Sequence, residues 1–129
     1  MNPPAFSAAA FAELQRDFWF KGVVATTKVV RGDPLIALHL ALDMLRDCCV
    51  LAMVLRDRAT GTTIHRDSPL GREAVQHIAP LGRPLASGDI LSLVEQAAIA
   101  FDDLAGRWSS GYAARRGPLL RAIAHARRG

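Results

Sequence analysis

Apolar positions fall at helical spacing along almost the whole chain. Between Pro34 and Ala59, Leu35, Leu38, Leu42, Leu45, Cys49, Ala52 and Val54 recur at helical period, and Ile36, Leu40, Met44, Leu51 and Leu55 extend the apolar surface round most of the circumference. Such a helix is expected inside a bundle, not on its rim. A second stripe runs through Ile90, Leu91, Val94, Ala97, Ala98, Phe101, Leu104, Ala105 and Trp108. It predicts a helix capped by Ser87 or Asp89 and ending near Ser109. An earlier helix is expected from about Ser7, a plausible N-cap, to Arg31. Gly32, Asp33 and Pro34 then supply a C′ glycine, an N-cap and a first-turn proline, the signal of a two-helix hairpin. A short helix over about Leu70 to Ala79, lying between two loops, and a last one over about Pro118 to Arg127 complete the expectation. No segment alternates apolar and polar residues as a half-buried strand does. The pattern therefore predicts an all-α protein, an antiparallel helical bundle of four to five helices, with the short helices packed on its ends.

Length and composition narrow this little further. The 129 residues suit one domain, with a core over about residues 7–110 and a basic C-terminal helix and tail over about 114–129. Half of the residues are apolar and 22 % are charged, which excludes disorder as the main state. No apolar stretch approaches the roughly 20 residues of a membrane span, and the start lacks the basic n-region of a secretory signal. A cytoplasmic protein with no membrane partner is the expectation. The two cysteines, Cys48 and Cys49, are adjacent, diverge by about 100° on a helix and are expected as reduced thiols. No metal site is expected from them or from the four scattered histidines.

Charge is unevenly spread. Residues 1–113 carry 11 Lys and Arg against 12 Asp and Glu, whereas residues 114–129 carry five Arg and no acid. Arg115, Arg116, Arg121, Arg127 and Arg128 read as a solvated basic tail, with a phosphate-binding patch as the alternative. No aromatic residue interleaves with them, so nucleic acid is not the expected partner. A dimeric regulatory or nucleic-acid-binding module is kept as one rival reading.

Three polar constellations could carry chemistry. Asp17, Lys21, Lys28 and Arg31 share one face of the first helix, where Asp17 and Lys21 are spaced to pair and Lys28 and Arg31 leave a cationic end. That face is either solvated or a wall for phosphate groups. His39, Asp43, Arg46 and Asp47 form a narrow polar seam on the otherwise apolar second helix, either at the solvent edge or in a cleft that takes a polar ligand or partner. Arg72 and His77 have the R-x4-H spacing found in ribonucleases of the HEPN helical-bundle class. There, His does acid–base work and Arg stabilises developing charge. A ribonuclease or toxin-type bundle using Arg72 and His77 is the enzymatic rival. The chain shows no P-loop, no GxGxxG, no GxSxG and no Asp-x-Asp.

One longer pattern goes further. Asp17-Phe-Trp-Phe-Lys21, then Lys28, then Arg31-Gly-Asp33, then Leu42-Asp43-Met44-Leu45-Arg46 in the second helix, then Phe101-Asp-Asp-Leu-Ala-Gly-Arg-Trp and Gly111-Tyr112 follow one another in order. This resembles the C-terminal helical domain of aminoglycoside nucleotidyltransferases, of the streptomycin 6-adenylyltransferase type, over about residues 13–125. The resemblance implies a substrate-binding helical bundle whose catalytic module, with its magnesium-binding acids, lies elsewhere. It implies a partner catalytic subunit or a small polar or nucleotide ligand, with no catalytic residue on this chain. ATP and magnesium enter only if that partner is present. On this basis Lys28 is expected to contact nucleotide phosphates and Asp43 to face the cleft, within a ligand-binding set of Lys21, Lys28, Arg31, His39, Asp43 and Arg46. A homodimer is expected as well, because a domain without its catalytic module exposes apolar surface. The contiguous Phe18, Trp19 and Phe20 cannot all face one core.

Overall fold

The computed structural model of the chain describes residues 6–61 and 86–129. Four helices are present among them: α1 (Ala8–Val30), α2 (Pro34–Thr60), α3 (Ser87–Trp108) and α4 (Arg116–Arg128). The described residues contain no strand, and no described helix is long and apolar enough to cross a membrane. The expected helix over Leu70 to Ala79 lies outside the described residues.

Local chemistry sets the helix ends. The Ser7 side chain accepts the Ala10 N–H at 3.0 Å and caps α1. Gly32, at φ 79°, turns the chain after α1, where an L side chain would be strained. Asp33 then caps α2 and Pro34 opens it. Gly61, at φ 67°, closes α2 in the left-handed conformation. The Asp89 carboxylate reaches back to the Ala86 N–H at 2.8 Å, the return half of a capping box at the start of α3.

Helix directions follow from paired residues. Only residues 31–33 separate α1 from α2, and Lys21, nine residues before the end of α1, meets Asp43 and Asp47, nine and thirteen residues into α2, so the two helices are antiparallel. Cys48 bonds to Ala97, and Arg58 to Arg107 and Trp108, with nearly constant offsets of 49 to 50 residues, so α2 and α3 run parallel. Asp102 holds Arg115 and Arg116 while Glu95 holds Arg127, so α4 is antiparallel to α3. Sequential neighbours are thus antiparallel within each pair, and the two pairs are joined through a parallel α2–α3 contact. The last helix does not sit on the bundle end. Its apolar side, Leu119 and Ile123, is buried lengthwise against the other helices, because a 13-residue amphipathic helix buries its stripe only along a groove.

The core is aromatic at its centre. Phe18 and Phe101 are fully buried and stack at 4.0 Å, with Trp19 edge-on to both. Phe6, Phe11, Trp108 and Tyr112 form a second aromatic group toward the α1 N-terminus. Phe20, the third of the contiguous aromatics, is 70 % exposed. The second helix departs from its expected interior place. Ala37, Ala41, Met44, Cys48, Leu51 and Leu55 face the core, but Leu35 and Leu42 are 77 % and 52 % exposed. A corner helix buries only the arc that faces its neighbours, so the apolar excess of α2 remains on the surface.

Candidate functional site

The α1–α2 interface is tied by a shared ammonium. Lys21 Nζ lies 2.7 Å from Asp47 Oδ2 and 3.0 Å from Asp43 Oδ2. Arg46 reaches Asp43 Oδ1 at 3.6 Å from an exposed position. Asp43 and Asp47 are one helical turn apart on α2, so one ammonium on α1 can serve both. Burial pulls the Lys21 ammonium down, but its bonds to Asp47 and Asp43 outweigh that and leave its pKa raised. Lys21 also holds the Asp43 carboxyl below its ordinary value, against a smaller opposing effect of burial. Asp47 is the more deeply buried, and its desolvation outweighs the Lys21 bond, so its pKa is raised.

This geometry changes the expected site. Lys21 does not pair with Asp17, which is exposed. The α2 carboxylates win because a shielded interhelical pair is screened less than a solvated pair along one helix. Of the expected ligand-binding residues, the fold brings together Lys21, Asp43 and Arg46 and adds Asp47. Lys28 is half-buried, Arg31 and His39 are exposed, and none of the three joins the cluster. Lys21 is already neutralised and is a poor phosphate ligand. Lys28 and Arg31 make no ion pair with a carboxylate among the described residues. Arg72 and His77 lie outside the described residues.

Cys48 is buried and donates its S–H to the Ala97 carbonyl at 3.4 Å, and desolvation pushes the thiol far up. Cys49 is half-buried, and both thiols are free. No group of three His, Cys, Asp or Glu side chains among the described residues could hold a metal ion.

Two features had no place in the sequence expectation. The first is Asp102, buried in α3. Its carboxylate accepts the Tyr112 hydroxyl at 2.6 Å, the Arg115 N–H at 3.0 Å and the Arg116 N–H at 3.0 Å. One side chain thus caps α4 and fastens the α3–α4 connection. Burial, then the bond to Asp102, pushes the Tyr112 phenol well above its usual range. The signal was available: Asp102 follows Val94 and Ala98 at steps of four, which puts an acid in the apolar stripe of α3. The second is a cavity of about 460 Å³ between the ends of α1 and α4 and the start of α3. Val29, Val30, Leu91, His125 and Arg127 are among its lining residues, and none of the expected ligand-binding set Lys21, Lys28, Arg31, His39, Asp43 and Arg46 is.

No protein-family model, curated protein or solved structure shows significant similarity to the chain.

Proposed function

We propose that the chain is a substrate-domain-type helical bundle related to nucleotidyltransferases, which works with a catalytic subunit and does not catalyse transfer alone. The observation that carries this reading is the state of the cations beside the α1–α2 interface. Lys21 is consumed by Asp43 and Asp47 and fixes the helix pair. Lys28, on the same face of α1, is half-buried and has no carboxylate partner among the described residues, and Arg31 follows it one turn later. Two cations held on a clamped helix suit the phosphates of a nucleotide. Magnesium and the acids that bind it come from the partner.

The order of motifs from Asp17 to Tyr112 supports the same reading. Self-association through the outer face of α2 is part of the proposal, because Leu35 and Leu42 remain exposed there. Isothermal titration of the purified chain with ATP, with and without magnesium, tests it, with light scattering for mass. The expected result is ATP binding that weakens in Lys28→Ala, and a dimer mass. Binding unchanged in that variant overturns the nucleotide role. AMP transfer by the chain alone, or RNA cleavage that disappears in His77→Ala, overturns the non-catalytic reading.

A further inference from the structure

The flank where α1 and α4 lie side by side carries an apolar stripe with a cationic border. On α1, Phe20, Val23 and Val30 are 70 %, 56 % and 66 % exposed and share one stripe at steps of three and seven residues. The stripe runs beside α4. Gly22, next to Val23, is packed so closely under Leu119 that an added Cβ would lie 2.6 Å from its methyl carbon. Val30 lines the end cavity together with His125 and Arg127. On α4, Leu119 and Ile123 are buried, which turns Arg121, His125 and Arg128 outward at steps of four and three. Arg127 is held by Glu95 at 2.6 Å, whereas Arg121 and Arg128 have no carboxylate partner among the described residues. The arginines that read in sequence as a tail therefore stand along a helix, with Arg121 and Arg128 on its outer side.

We propose that this flank docks an acidic amphipathic helix of a partner protein. The inference rests on the reading of the chain as a partner-binding domain and names the face and the chemistry of the partner. The stripe spans about 15 Å, roughly three helical turns. Phe20 and Val23 stand about one turn apart and Val30 about two turns beyond, with the exposed Thr27 between, which suits apolar residues spaced along one face of a helix laid on it. The flank of that helix that faces α4 meets Arg121 and Arg128, so it carries Asp or Glu. A second copy of this chain is a poor occupant, since a two-fold contact would set Arg121 and Arg128 against their own copies with no acid on α4 to meet them. A nucleic-acid duplex leaves the apolar stripe unused. A single strand requires aromatic platforms in series, and the stripe holds only Phe20.

The test is fluorescence anisotropy of the full chain with a labelled synthetic peptide of about four helical turns, with leucine on one face and glutamate on both flanks. A scrambled peptide of the same composition is the control. Phe20→Ser and the double variant Arg121→Glu with Arg128→Glu change exposed side chains only, and circular dichroism checks their fold. The expected result is salt-sensitive binding of the designed peptide, at least tenfold weaker in either variant and absent for the scrambled peptide. Equal binding of both peptides, undiminished binding by the variants, or tighter binding of a duplex RNA or of phosphatidylserine vesicles overturns the proposal. ATP titration of the same variants separates this claim from the one it rests on, because Lys28 lies roughly 140° around α1 from Val23. If the chain binds ATP through Lys28 but not the peptide, the docking proposal fails and the nucleotide reading stands.

Discussion

Asp102→Ala should loosen α4 from the bundle, and the structure sets the size of the effect. The substitution removes the acceptor for three donors: the Tyr112 hydroxyl and the backbone N–H groups of Arg115 and Arg116. Loss of a helix cap costs about 0.5–2 kcal/mol. Each hydrogen bond to a charged acceptor adds about 1.5–3 kcal/mol when no water replaces it. Arg115 and Arg116 are exposed and Tyr112 is half-buried, so water recovers part of the loss. The sum expected is about 3 kcal/mol, with Asp102→Asn nearer 1–2 kcal/mol because one carbonyl oxygen still accepts. Tyr112→Phe removes one bond and should cost about 1–2 kcal/mol in the wild-type chain and almost nothing in Asp102→Ala. Urea unfolding followed by circular dichroism reads all four variants, including the double one.

Tyr112 is the only tyrosine in the chain, so its absorbance supplies an independent check. Its phenol should stay protonated through the ordinary range near 10, with phenolate appearing only as helicity is lost. In Asp102→Asn, ionisation should move down toward that range. A loss below about 1 kcal/mol for Asp102→Ala, additive losses in the double variant, or phenolate forming near pH 10 in the intact fold would each refute the assigned role of Asp102.

The remaining predictions concern the α1–α2 clamp, the thiols and the end of α3. Asp43 has a depressed folded pKa, so the stability it contributes is present above its unfolded value of 3.8 and is lost as pH falls through the folded value. Asp47 has a raised folded pKa, so its proton uptake above 3.8 favours the fold and partly offsets acid loss. Asp43→Asn should therefore flatten the acid limb of a stability–pH curve and Asp47→Asn steepen it; identical curves would contradict the clamp. Lys21→Met leaves two carboxylates at a partly buried interface without their ammonium and should cost about 1–3 kcal/mol in urea unfolding, with no loss if the pair is solvated. A thiol reagent should label Cys49 in the native protein and Cys48 only after unfolding, and equal rates would place Cys48 at the surface. Arg58 donates to the Arg107 and Trp108 carbonyls at 3.0 and 2.9 Å and lies 4.1 Å from the Trp108 ring centre. Arg58→Ala should cost about 1–2 kcal/mol and change tryptophan emission, and a silent substitution would remove this cap.

What the sequence disclosed was the chemistry that acts over a few residues. Ser7, Gly32, and Asp33 with Pro34 mark helix ends because caps and turns are decided by neighbours in the chain. That Phe18, Trp19 and Phe20 could not all enter one core was legible, since three contiguous side chains cannot point one way, but that Phe20 is the exposed one was not. The rotation of one helix against another was not legible. Asp17 stands at the right spacing for Lys21, yet the partners prove to be Asp43 and Asp47, because burial across an interface favours the shielded pair. The parallel course of α2 and α3 depends on pairings 49 to 50 residues apart, to which periodicity is blind. The arginines of α4 changed meaning for the same reason: only the buried Leu119 and Ile123 fix which side of that helix faces out.

On the proposed reading this bundle carries a nucleotide-binding face and depends on a partner for catalysis. Isothermal titration with ATP, in wild type and Lys28→Ala, tests that claim most directly. The account predicts binding without AMP transfer, clearly weakened by removal of the one ammonium. Lys28 is half-buried and, like Arg31, has no carboxylate partner among the described residues. Equal affinity in the two proteins, or no binding by either, would contradict the account.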